Sequence, residues 1–124
     1  MKLLFEKEEA EEMFFDALCN GLDYIEGYGL SIEINDKHYE QAKESLDNPC
    51  YEDILLQILK DGNTLTLVDW ESEAIWSITL KDVYERMSNV DFEHLVNMMQ
   101  GNDDAVTADV ILQTIFIQEV MFGQ

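Results

Sequence analysis

The segment 105–122 carries Val106, Val110, Ile111, Leu112, Ile115, Phe116, Ile117, Val120, Met121 and Phe122 around most of a helical circumference. A surface helix keeps one apolar stripe and leaves its other sides to water. A helix that is apolar on nearly every side must be covered on nearly every side. The pattern therefore predicts a central helix wrapped by the rest of the chain, with an oligomer seam along one flank as the other outlet for such a surface. Gln113 and Thr114 interrupt its apolar run, which falls far short of the roughly 20 residues that cross a bilayer.

The upstream sequence supplies the wrapping. From 6 to 26, Ala10, Met13, Phe14, Ala17, Leu18 and Ile25 recur at helical spacing, and Gly27 and Gly29 end the run. Leu30, Ile32 and Ile34 alternate with Ser31 and Glu33 as in a short half-buried strand, about 30–34. Asn35 is expected to cap a second helix carrying Tyr39, Ala42 and Leu46. Asn48 and Pro49 are expected to open a third, with Pro49 at its first position and Tyr51, Ile54, Leu55, Ile58 and Leu59 as its buried face. Asp61, Gly62 and Asn63 stop it. The runs TLTLVDW and AIWSIT, separated by Glu71, Ser72 and Glu73, predict an antiparallel hairpin over about 64–79. Thr79 and Asp82 have capping-box spacing before an inward Val83 and Met87. Asp91 opens a further helix with Phe92, Leu95, Val96 and Met99 as its expected inner face, ended by Gly101 and Asn102. Helices and strands do not alternate regularly, so the expected fold is a helix-rich α+β single domain, 1–124, with a small antiparallel sheet.

Charge sets the second constraint. Asp and Glu number 27 against 7 Lys and Arg, a formal net charge of −20, while 47% of residues are hydrophobic. The apolar share excludes a disordered acidic tail, and the charge opposes direct binding of nucleic acid or anionic lipid. The glutamate-rich start is unlike a secretory signal, so a cytoplasmic protein is expected, with Cys19 and Cys50 as reduced, structural thiols.

Catalytic and metal-binding patterns are missing from the sequence. The glycines at 21, 27 and 29 are not followed by the helix and Lys of a phosphate loop, and no serine has Gly-x-Ser-x-Gly neighbours. His38 and His94 leave a Ser or Cys nucleophile few bases. No zinc spacing or calcium-loop pattern occurs. Asp91 and His94 amount to half of a carboxylate di-metal motif and read as a cap and a surface histidine. The expectation is no cofactor, no metal and no enzyme.

The acidic surface is the remaining signal. Glu6, Glu8, Glu9, Glu11 and Glu12 crowd a helix start, where carboxylates meet the positive end of the helix dipole. Asp69, Glu71, Glu73, Asp103, Asp104 and Asp109 extend the excess beyond what that explains. Twenty charges correspond to roughly 34 Å of duplex at one charge per 1.7 Å. A globule of this length is in the region of 35 Å across. Imitation of nucleic acid is therefore feasible in size, provided that the charge gathers on one face.

The stretches NPCYEDILLQILKDGNTLTLVD, SITLKDVYERM and DDAVTADVILQTIFIQEVMFG resemble an uncharacterised family of small acidic proteins from phages of gut Bacteroidetes, over about the last three fifths of the chain. The resemblance implies a host-directed inhibitor or an assembly accessory of a phage, and carries over no catalytic residue. The expected function is that of a non-enzymatic protein that occludes a basic surface on a partner, such as a nucleic-acid-binding protein. The expected contact residues are the exposed acids Glu8, Glu9, Glu11, Glu12, Asp69, Glu71 and Glu73, with Trp70 as an aromatic anchor. The alternatives are a phage structural protein that self-associates through its last helix and an immunity-type protein that neutralises a basic toxin.

Overall fold

A computed structural model describes residues 5–101 and 105–123. Asn102, Asp103 and Asp104 lie outside the described residues. The elements run α1 (Lys7–Gly27), β1 (Leu30–Glu33), α2 (Asp36–Glu44), α3 (Tyr51–Lys60), β2 (Leu65–Asp69), β3 (Ile75–Ile78), α4 (Leu80–Met87), α5 (Phe92–Met99) and α6 (Ala105–Phe116). This is the helix-rich α+β domain that the sequence predicts, with strand order β1-β2-β3 and both pairings antiparallel.

Helix α6 is the centre. Every residue over 107–117 is buried, and α1 forms its most extensive helix contact, with α4, α5 and β3 also packed against it. The α1–α6 approach is close because Gly21 has no side chain: a Cβ there would stand 3.0 Å from the Ala108 carbonyl carbon, the Ala108 Cβ and Leu112 Cδ1. Phe14 and Phe116 fill the wider part of the same seam, with ring centroids 6.2 Å apart. Over 105–122 the most exposed apolar residues are Val106 at the first turn of α6 and Met121 beyond its end, 53% and 52% exposed.

Burying a helix all round also buries its polar residues, and each finds a partner, as an unsatisfied buried group would cost about 1–3 kcal/mol. Gln113 is fully buried. Its Nε2 donates to Asp109 Oδ1 (3.0 Å) and to the Phe122 carbonyl (3.1 Å), and its Oε1 accepts from the Met121 and Phe122 N–H groups (2.8 and 2.9 Å). The Tyr28 hydroxyl donates to Asp109 Oδ2 at 2.6 Å, and its ring stacks on Phe122 at 5.4 Å. One side chain thus clasps the final segment against the core. The helix itself ends at Phe116, short of the expected 122. Gln118 takes φ 70° and its N–H returns to the Thr114 carbonyl, while Arg86 Nη1 donates to the Ile115 carbonyl at 2.8 Å.

The remaining elements follow their local signals with three corrections. Asn35 Oδ1 accepts from the Lys37 and His38 N–H groups, and Thr79 and Asp82 form the expected reciprocal cap. Pro49, however, precedes the cap of α3 instead of beginning it: Cys50 is the N-cap, and Asn48 makes the bend at φ 49°. Tyr51, expected on the buried face of α3, is 41% exposed, whereas Ile54, Leu55, Ile58 and Leu59 are buried. In α5 the buried residues are Leu95 and Met98, whereas Phe92 and Met99 are 64% and 59% exposed. The helix is rotated so that one edge of its apolar face, not the middle, meets α6.

Space at two glycines predicts opposite outcomes. Gly21→Val should cost about 1–3 kcal/mol through overpacking against Ala108 and Leu112. Gly27→Ala, where nothing stands within 4 Å, should gain about 0.4–1 kcal/mol. Urea unfolding of the two variants checks the pair. Gln113→Leu should cost about 2–4 kcal/mol, since it strands several hydrogen-bonding groups at once, and should make the last residues susceptible to carboxypeptidase in a timed digest.

Candidate functional site

The residues expected to contact a partner form two groups. Glu8, Glu9, Glu11 and Glu12 occupy the first turns of α1, where Glu6 and Glu9 form a capping box and Glu9 Oε1 accepts from the Glu6 N–H at 3.0 Å. Glu11 is turned inward by α4: the Tyr84 hydroxyl donates to its Oε1 at 3.0 Å, and Lys7 Nζ lies 5.6 Å from the centre of the Tyr84 ring. Glu11 therefore ties α1 to α4 and is only half exposed, whereas Glu8 and Glu12 stand free of the core.

The second group lies on the β2–β3 turn. Asp69, expected as an exposed acid, is buried, with 7% of its surface accessible. Its Oδ1 accepts from the Glu71 and Ser72 N–H groups, and its Oδ2 from the Ser72 hydroxyl at 2.8 Å. That hydroxyl and the two N–H groups hold its carboxyl below the usual carboxylate range against the opposing effect of burial. Asp69 organises the turn and is unavailable to a partner. It leaves Glu71 and Glu73 exposed, Glu73 at φ 64°, and Trp70 63% exposed with its indole N–H donated to Ser31 Oγ at 2.7 Å.

The fold does not bring the two groups together. The Trp70 N–H donates to the Gly29 carbonyl, which places the turn beyond the C-terminal end of α1. From Glu12 to Gly27 the helix advances about 22 Å at 1.5 Å per residue. That exceeds two Debye lengths of about 10 Å each at moderate salt, so the groups act on a ligand independently. Further exposed carboxylates stand on α2, α4 and α5, and the two ion pairs among the described residues, Lys81–Glu85 and Arg86–Asp82, both lie within α4.

A feature that sequence reading missed lies beside the first group. Glu9, Glu12, Met13, Asp16, Met98 and Met99 line a groove of about 200 Å³ between α1 and α5. A second hollow of about 210 Å³ is lined by Asn89, Asp91, Thr114 and Glu119 among others, and an open one of about 320 Å³ by Asp23, Tyr24, Gly27 and Tyr28. These sit at or below the lower end of the roughly 300–1,000 Å³ that small-molecule sites occupy. The only sequence signal for the groove was the pair of adjacent methionines: the period of α5 puts Met99 on its inner face, whereas in the structure Met98 is buried and Met99 is exposed.

The chemistry-bearing side chains are dispersed. Cys19 and Cys50 are exposed free thiols, not buried structural ones. Partial burial, reinforced by negative charge from Glu52, Cys50, Asp16 and Asp53, pushes the Cys19 thiol up to about 11, so it is protonated at neutral pH. Cys50 caps α3, its Sγ and N–H both reaching Asp53 Oδ2 at 3.1 Å. His94 Nδ1 is bonded to Thr107 Oγ1 at 3.0 Å, tying α5 to α6. Among the described residues no three His, Cys, Asp or Glu side chains converge as a metal site, and no helix is long and apolar enough to cross a membrane. The chain matches no family model, no curated protein and no solved structure.

Two phenols report on the internal carboxylates. Burial, and then the hydrogen bond to Asp109 or Glu11, pushes Tyr28 and Tyr84 each up to about 12. The folded state therefore prefers both phenols neutral, and the stability this contributes is intact below the ordinary tyrosine value near 10 and lost as the pH rises towards 12. Ultraviolet titration at the phenolate band should show two of the five tyrosines ionising last. Tyr84→Phe should remove one of that late pair.

Proposed function

We propose that the protein is a non-enzymatic acidic binding protein that covers a basic surface of a partner protein, of the type a phage directs against a nucleic-acid-handling protein of its host. One observation carries this reading: a net charge of −20 is held largely on exposed carboxylates. Self-repulsion on that scale costs stability and is relieved when a cationic surface is brought against it. The same field accelerates encounter with a basic partner and makes the affinity sensitive to salt. The distribution of the acids over several elements argues against imitation of a continuous duplex. A basic toxin is a partner of the same chemistry, so the immunity-type role falls within this reading.

The test is capture from a host lysate on the immobilised full chain, with mass spectrometry of what elutes. Basic proteins that bind at low salt and leave at high salt are expected. A variant with Glu8, Glu12, Glu71 and Glu73 all changed to Lys should lose them while keeping its circular dichroism. Undiminished capture by that variant, or capture that resists salt, would refute the electrostatic reading.

A further inference from the structure

We propose that the groove between α1 and α5 is the docking site for a basic amphipathic helix of the partner protein, an inference that rests on the reading above and narrows it to one surface. Met13, Met98 and Met99 supply the groove's apolar lining, and Glu9, Glu12 and Asp16 line it from the α1 side. Their spacing at i, i+3 and i+7 sets the three carboxylates along one face of α1. Like charges at that spacing repel, and a cation laid between them relieves the repulsion.

On the α5 side the apolar surface continues beyond the groove. Phe92, Val96 and Met99 recur at i, i+4 and i+7, one column along the helix, with Phe92 and Met99 64% and 59% exposed. The surface is thus a strip of large flexible and aromatic side chains bordered on one side by carboxylates. Lys and Arg fit such a border because their aliphatic stems lie on apolar surface while their charged ends reach outward. Methionines accommodate partner side chains of varied shape. At about 200 Å³ the groove takes a side chain or two and not a cofactor.

Charge decides between occupants. A second copy of this chain would bring another −20 against the same three carboxylates, and a phosphate-bearing ligand would meet them too. A helix with Lys or Arg on one face and Leu, Phe or Met on the other satisfies both halves of the strip.

The probe is a synthetic peptide with lysines on one helical face and leucines on the other. It is compared with a peptide in which every leucine is serine and one in which every lysine is glutamate, each titrated by fluorescence anisotropy into the full chain. The Lys/Leu peptide should bind more tightly than the Lys/Ser peptide, and the Glu/Leu peptide should not bind. Phe92→Ser with Met99→Ser should weaken the Lys/Leu peptide about tenfold and leave the Lys/Ser peptide unchanged. Glu12→Gln with Asp16→Asn should weaken both, and Glu71→Lys with Glu73→Lys should alter neither by more than a small factor. In the unsubstituted protein, methyl NMR signals of Met98 and Met99 should move on adding the Lys/Leu peptide, a readout independent of whether any variant folds. If the lysine peptides bind but the Phe92/Met99 variant and the methionine signals are unaffected, the groove is wrong and the broader charge reading stands. If neither lysine peptide binds, both fall. Binding of the Glu/Leu peptide, or self-association that protects Met99, also overturns the groove.

Discussion

Helix α6 is apolar nearly all round and must be buried, and the packing of α1, α4, α5 and β3 follows from that requirement. A helix can be surrounded only if at least one neighbour comes close enough to exclude water along its length, and α1 does so at Gly21 and Ala108. Complete burial then brings Asp109, Gln113 and Thr114 inside, where each polar atom needs a partner. Gln113 draws its partners from the C-terminal segment, Asp109 draws one from Tyr28, and Thr114 bonds back to the Val110 carbonyl at 2.8 Å. Among the described residues no buried polar side-chain atom is left without a partner. Met121 and Phe122 are therefore part of the core's hydrogen bonding.

With so few cations in the chain, internal carboxylates are satisfied by neutral donors. Tyr28 serves Asp109, Tyr84 serves Glu11, and the Ser72 hydroxyl with two backbone N–H groups serves Asp69. Arg86 is one of the few basic residues used structurally, holding both Asp82 and the end of α6. Acids that find such donors become structural, and the rest are pushed to the surface. This sorting separates residues that look alike in the sequence: Glu8 and Glu12 remain outward, whereas Glu11 between them does not.

Local signals were legible wherever the cause was local. The caps at Asn35 and Thr79, the alternation of Leu30 and Ile32 with Ser31 and Glu33, and the helical period of α1 each depend on residues a few positions apart, so the sequence contains the whole interaction. Asp69 illustrates the limit. Its charge argued for exposure, but the structure places it with Leu65 and Leu67 on the inner face of β2, and the turn that folds Ser72 back onto it shows how the charge is accommodated. The expected inner face of α5 failed for a related reason. A short helix with Phe92, Leu95, Val96, Met98 and Met99 offers an apolar arc wider than one neighbour can cover, and the period alone does not say which edge is covered.

What the sequence determined by itself was the inventory and its local order: six helical segments and three strands, the caps that bound several of them, one helix that had to be central, and a surplus of negative charge that had to face outward. These follow from spacing, propensity and composition, which act over a few residues or over the whole chain without regard to shape. Only the tertiary structure decided which acids share a surface, that the hairpin turn and the start of α1 lie at opposite ends of the longest helix, and that the methionines of α5 meet the carboxylates of α1. Those placements depend on how rigid elements rotate and pack around α6. That rotation is set by volume and hydrogen-bond complementarity between residues far apart in the chain, as between Gly21 and Ala108 or between Tyr28 and Asp109.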